Sequence, residues 1–255
     1  MLGEKRRTRL LEHVRRSGSV GVEELAEALG VSTSTVRRDL DEMDERGLLR
    51  RVHGGALALD APEPEENAVT ERAVRNLDDK HRIAAAAVGL IDPGSTILLT
   101  GGSTTAQMVP HLADVPGITV VTNSVAIAHA VGTASDSVQV LVLGGLLRNV
   151  ELSLLGHLTT QALAEVHVDM AFLSAFGVDP GYGILGAHLA EAETDRNLVA
   201  AAQRLVVLAD HSKFSQRSAV RIAPNSRIDT LVTDQEAPVD ALTALRERDI
   251  TVIQA

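Results

Sequence analysis

Between Thr96 and Ile253, seven short runs rich in β-branched residues alternate with helical stretches, and few architectures accept that order. The runs are Thr96–Thr100, Thr119–Thr122, Val138–Leu143, Met170–Ser174, Leu205–Ala209, Thr230–Thr233 and Thr251–Ile253. The helical candidates are Lys80–Leu90, Ser103–Leu112, Val125–Val131, Leu158–Val166, Leu189–Ala202 and Asp240–Arg248. Alternation of this kind predicts a mostly parallel sheet with helices on both faces. Hydrophobic residues make up 45% of the 255, enough to fill the core such a sheet requires.

The first 57 residues follow a different pattern. Lys5 to Ser17 carries Leu10, Leu11 and Val14 at helical spacing, and Val22 to Leu29 is a second, shorter helix stopped by Gly30. Ser32 is a good N-cap for a third helix that runs to about Arg46. Leu48 to Val52 then reads as a strand, and His53-Gly54-Gly55 as a tight turn. Helix, short helix, turn, helix and strand is the layout of a winged helix-turn-helix. In the third helix Val36, Leu40 and Met43 share the core face with Leu25 and Leu29. Thr33, Ser34, Arg37, Arg38 and Asp41 are left on the opposite side, so hydroxyls and arginines gather near the helix's N-terminal end. Arginine reads guanine bidentately in the major groove, and short hydroxyls suit phosphate. Arg37 or Arg38 is expected on bases, Ser32, Thr33 and Thr35 are assigned mainly to positioning, and Ser34 belongs to the same expected DNA-binding face. Arg50, Arg51 and His53 on the wing are candidates for adjacent phosphate or the minor groove.

Charge supports this division. Residues 1–58 hold 11 Lys/Arg and 10 Asp/Glu, a net of +1. The rest therefore holds 24 − 11 = 13 basic and 34 − 10 = 24 acidic residues, a net of −11. An arginine-dense head on an acidic body suits a polyanion such as double-stranded DNA. Aromatics are only 2%, too few for stacking platforms on single strands. The chain has no cysteine, and its nine histidines include no pair three or four residues apart, so neither a disulfide nor a helical metal site is expected. The charged start and the absence of a long apolar run predict a protein without signal peptide or membrane span, placed in the cytoplasm.

Residues 58–78 include the acidic, proline-bearing Asp60–Glu66 and are expected as a linker, with Val69 to Leu77 a possible connecting helix. Residues 79–255 form the α/β body. There Gly101-Gly102-Ser103-Thr104-Thr105 follows a strand and opens a helix, which lets backbone amides, hydroxyls and a helix N-terminus converge on an anion. Neither a P-loop nor a dinucleotide fingerprint is present. Asn123 and Ser124, Gly144 and Gly145 with Arg148, and Lys213 also follow strands, where ligands of open α/β sheets collect. Lys213 is one of three lysines in the chain.

These motifs resemble a known family. Thr35-Val36-Arg37-Arg38-Asp39-Leu40 followed by Arg51-Val52-His53-Gly54-Gly55-Ala56 looks like the head of DeoR-family bacterial transcriptional regulators. The segments at 92–96, 101–105, 122–124, 144–148, 168–172 and 210–214 resemble that family's sensor domain, which is similar in fold to ribose-5-phosphate isomerase. The resemblance implies a phosphorylated sugar effector held by Gly101–Thr105, and brings Asp169 into the expected site. Gly183-Ile184-Leu185-Gly186 replaces the Gly-Leu-Thr-like turn usual there. The rival reading is an isomerase with an appended DNA-binding head, using Asp169, Asp179, Glu191 or Glu193 as general base. The related isomerases place a lysine after the acidic strand, and none lies between Lys80 and Lys213. A purely architectural DNA binder leaves the polar strand ends without a role. The expectation is a non-enzymatic repressor of a carbohydrate operon, binding operator DNA as a homo-oligomer and released by a sugar phosphate, with no cofactor.

Overall fold

In the computed structural model, residues 2–17, 19–52, 55–58 and 68–255 are described. They divide into two compact units, one built from Met1–Glu66 with Arg217–Arg221 and the other from Asn67–Gln216 with Ile222–Ala255.

In the first unit α1 (Leu2–Ser17), β1 (Ser19–Gly21), α2 (Val22–Leu29) and α3 (Thr33–Glu45) precede a hairpin of β2 (Leu49–Val52) and β3 (Gly55–Ala58). Gly30, at φ 65°, turns the chain from α2 into the tight connection to α3. The three strands form one antiparallel sheet in the order β1-β3-β2. The apolar stripes of the helices close on that sheet, burying Leu10, Val14, Leu25, Val36, Leu40 and Met43 together with Leu49 and Ala56. Leu29 packs at the margin. This is a winged helix-turn-helix with α3 in the reading position.

The second unit starts with α4 (Val69–Ala73) and α5 (Leu77–Val88), so the second half of the expected linker is folded. There follow β4 (Thr96–Leu99), α6 (Val109–Leu112), β5 (Thr119–Thr122), α7 (Val125–Ala134), β6 (Gln139–Val142), β7 (Leu146–Arg148), β8 (Ser153–Leu155) and α8 (His157–Ala164). Then come β9 (Val168–Ser174), β10 (Gly177–Asp179), β11 (Gly183–Leu185), α9 (Leu189–Ala201), β12 (Ala202–Leu208), β13 (Arg221–Ala223), β14 (Thr230–Thr233), α10 (Val239–Arg246) and β15 (Thr251–Gln254). The seven runs expected as strands are the seven strands of one sheet, ordered β15-β14-β12-β9-β4-β5-β6. All its pairings are parallel, so the carboxyl ends lie along one edge. From β4 the chain builds outward through β5 and β6, then returns to β9 on the other side of β4. The order therefore reverses between β4 and β9, the place where open α/β sheets leave a crevice for ligand. Phe172, Ile97, Leu99, Val120 and Val206 lie fully buried in the core beneath it.

Candidate DNA-reading helix and effector cradle

On α3 the carboxylates of Asp39, Asp41 and Glu42 are paired within the head itself. Arg6 donates to both oxygens of the buried Asp39, at 2.5 and 3.1 Å. Glu42 pairs with Arg7 and, at 3.7 Å, with Arg46, while Asp41 pairs with Arg51 at 3.0 Å. Ser34, Arg37 and Arg38 are exposed, and among the described residues neither arginine has an ion-pair partner. The net result is two uncompensated cations beside the start of a helix. Ser32 caps that helix by accepting from the Thr35 amide at 3.3 Å, and its Oγ also lies 2.9 Å from the hydroxyls of Ser34 and Thr35. Thr33 and Thr35 are half-buried.

Arg51 departs from the expectation of a phosphate contact. Besides Asp41, it binds the Gly55 carbonyl at 2.7 Å through Nη1, and its amide donates to Asp44 at 2.8 Å. A guanidinium held by these two partners ties the wing to α3 in the DNA-free protein. His53 and the side chain of Arg50 lie outside the described residues.

In the sensor unit Thr100–Thr104 leaves the carboxyl end of β4 and enters a 3-10 turn, Thr105–Met108, before the four-residue α6. The expected helix from Ser103 is thus a tight turn first, and its short dipole adds little to anion binding. What the loop offers is its own donors. The Gly101 amide goes to Asn123 Oδ1 (3.2 Å) and the Thr105 amide to Ser174 Oγ (3.0 Å). Thr105 Oγ1 donates within the loop, to the Thr100 and Gly102 carbonyls. Among the described residues, the amides of Gly102, Ser103 and Thr104 and the hydroxyls of Ser103 and Thr104 have no partner, although both side chains are nearly buried. Neither hydroxyl oxygen is fully shut off from solvent, so the turn presents donors from which water or a ligand can accept.

Packing crowds both glycines, Gly102 against a side-chain carbon and Gly101 against a hydroxyl. A Cβ on Gly101 would stand 2.0 Å from Ser153 Oγ, and one on Gly102 would stand 2.3 Å from Ser174 Cβ. Ser174 ends β9, so this contact spans the β4–β9 switch point. Asn123 is used at both ends, its Nδ2 donating to the Leu154 carbonyl at 3.2 Å, and Ser124 Oγ caps α7. Both shape the loop from behind.

The other expected residues separate. Gly145 (φ 145°) admits the close approach of Thr159 and Leu155, and the Gly144 carbonyl accepts from Thr159 at 2.6 Å, so this pair seats α8. Arg148 stands opposite Ser153 in the β7–β8 hairpin and pairs with Glu191 of α9 at 2.6 Å. Asp169 lies at the wrong end of the sheet. Its Oδ2 accepts from the Thr96 amide at 2.8 Å, which puts it roughly 16 Å down β4 from Gly101. The family resemblance placed it in a motif; the register shows it pinning the amino end of β4.

Two strands from β4, Lys213 meets a group that sequence reading passed over. Lys80 at the start of α5 is 2% exposed, and donates to the Arg72 carbonyl and, at 2.5 Å, to the Arg75 carbonyl. Burial lowers its pKa to about 8, with the charges of Lys213, Arg72 and Arg75 adding to the fall and Asp210 opposing it. Burial pushes Asp210 up, but hydrogen bonds from Ser212 and Asn76 and the charge of Lys213 hold its carboxyl below the usual range. Asn76 reaches Asp210 at 3.0 Å from a left-handed backbone, φ 50°. The scarcity of lysine was the available signal: two of the three converge on one carboxylate.

Residues 6–61 match the model of the DeoR-like helix-turn-helix domain, and residues 75–235 that of the DeoR C-terminal sensor domain. The chain belongs to the DeoR family. This DeoR-family protein is 34% identical to a candidate aga operon transcriptional repressor of Escherichia coli O157:H7, over 98% of this chain and 93% of that one. It is 29% identical to the glycerol-3-phosphate regulon repressor of Escherichia coli K12, over 96% of each. Among solved structures, ribose 5-phosphate isomerase A from Methanocaldococcus jannaschii aligns over 55% of each chain at 21% identity and a TM-score of 0.41. The DeoR-family chain is accordingly a DNA-binding transcriptional regulator. Among its described residues no helix is long and apolar enough to cross a membrane.

Proposed function

We propose that this regulator represses a carbohydrate-related operon in the cytoplasm, binding double-stranded operator DNA as a homo-oligomer and leaving it when a phosphorylated sugar or polyol occupies the sensor. One observation carries the effector half of this reading: the three idle amides and two idle hydroxyls of Gly102–Thr104 beside the β4–β9 switch point. Five donors on one turn match the acceptor oxygens of a phosphate monoester. The cations Lys80 and Lys213 stand two strands away, roughly 10 Å along the same edge. That is a sugar's length from the phosphate, and the relative named for a glycerol-3-phosphate regulon supports the ligand class.

The DNA half rests on Arg37 and Arg38, the exposed and uncompensated cations of α3. Linkage between the two sites need not be strong, since a tenfold to hundredfold release takes only about 1.4–2.7 kcal/mol of coupling. The test is an anisotropy titration of the full chain on DNA from beside its own gene, repeated with a panel of sugars and their phosphates. The expected result is release by at least one phosphorylated compound and by none of the free sugars. Release by free sugars, or by none of the panel together with no thermal stabilisation by any phosphate, would remove the effector reading while leaving the DNA assignment standing.

A further inference from the structure

Ten large hydrophobic side chains stand exposed among the described residues, and seven of them fall between Val125 and Leu158. Leu141 and Val142 lie on β6, Leu146 and Leu147 on β7, and Leu158 in the first turn of α8. Leu146 is 81% exposed. β6 is an edge strand of the seven-stranded sheet, with one row of backbone groups unpaired by the sheet. Its sequence, Gln139-Val140-Leu141-Val142, contains none of the charges or prolines that ordinarily blunt an edge. The opposite edge is different: β15 exposes Thr251 and Gln254 while Val252 and Ile253 are half-buried. One edge is finished for water and the other is not.

Charge narrows what could cover it. Val138–Leu147 contains no charged residue, whereas residues 59–255 carry 13 basic against 24 acidic residues, a net of −11. A nucleic acid or an anionic bilayer would be repelled by such a body. Two copies of the body repel each other as well, so a contact between them must be a neutral face. A self-complementary patch of neutral apolar groups next to an open strand edge is what an isologous pair needs.

We infer that the β6 edge and the β7–β8 hairpin form the surface through which the sensor domain binds a second copy of this chain. This gives the proposed oligomer a particular interface. It is read by mass and cross-linking alone, so it can fail with operator binding and effector response intact. The full chain is measured by sedimentation equilibrium from sub-micromolar to tens of micromolar, as wild type, Leu146→Glu and Val239→Glu. Val239 is 72% exposed on α10 and serves as the matched apolar control. The expected result is a wild-type mass of at least two chains, a dissociation constant raised at least about tenfold by Leu146→Glu, and no change from Val239→Glu.

Because the natural chain has no cysteine, single Leu141→Cys and Leu146→Cys variants add a unique thiol. A short thiol cross-linker should capture them as dimers and leave Val239→Cys monomeric. Cross-linking decides the matter by itself if the Glu variant misfolds. A monomeric wild type throughout the range, or equal cross-linking at Val239→Cys, overturns the assignment.

Discussion

Arg6 of α1 holds Asp39 of α3 by two hydrogen bonds, at 2.5 and 3.1 Å, on the buried side of the helix that carries Arg37 and Arg38 outward. The same turn of α3 thus presents one neutralised carboxylate inward and two bare guanidinium groups outward. Arg6→Ala should lower the melting temperature of the head and weaken DNA binding together. Arg37→Ala or Arg38→Ala should weaken operator binding by about 1–3 kcal/mol with the melting curve unchanged. Equal loss of stability in all three variants, read by circular dichroism, would place the outward arginines in the fold and not in the groove.

Arg51 gives a contrast that salt can read. A phosphate contact would flatten the salt dependence of binding by about one ion when removed. Since Arg51 joins Asp41 to the Gly55 carbonyl, Arg51→Ala should lower head stability and keep the slope of log affinity against log salt. A slope reduced by one, with stability intact, would return Arg51 to the DNA interface.

The Thr104 hydroxyl has no protein partner and, unlike Thr233 Oγ1, is not shut off from solvent. Thr104→Val should therefore change the stability of the ligand-free protein by less than about 1 kcal/mol and abolish stabilisation by sugar phosphates. A larger loss of stability without ligand would mean the hydroxyl is already bonded in solution.

Gly101 and Ser153 test whether packing requires the first glycine. A Cβ at Gly101 would meet Ser153 Oγ at 2.0 Å, so Gly101→Ala should destabilise the sensor domain by about 1–3 kcal/mol. Gly101→Ala with Ser153→Gly should recover most of that loss in urea unfolding. No recovery would point to backbone conformation as the reason for glycine.

Lys80 should leave a signature in the pH dependence of stability. Its folded pKa of about 8 lies below the ordinary 10.5, so between those values the unfolded chain binds more protons than the folded one. Stability therefore rises with pH across that window, by up to about 1.4 kcal/mol per unit, as the cost of a buried charge is lost. Lys80→Met, measured by urea unfolding from pH 7 to 10, should lack this rise. Identical slopes in the two proteins would assign the titration elsewhere.

The seven strands of the main sheet were legible because buried parallel strands read as continuous apolar runs bounded by turns. The short strands β1, β7, β8, β10, β11 and β13 were not, since each is only a few residues long and is fixed by pairing partners, which periodicity does not encode. The recognition helix was legible for a different reason: the spacing of Val36, Leu40 and Met43 fixes one face, and that leaves Arg37 and Arg38 on the other.

The sequence by itself determined the seven main strands, the reading helix, the two-part organisation and the turn Gly101–Thr105, because hydrophobic period, caps and glycines act over a few residues. Only the tertiary structure decided which charges neutralise one another. It spent Arg51 on the wing, sent Asp169 to the far end of β4, and brought Lys80 to Lys213 around Asp210. Strand register and helix docking make those choices across long separations, where side-chain identity carries no record of the partner.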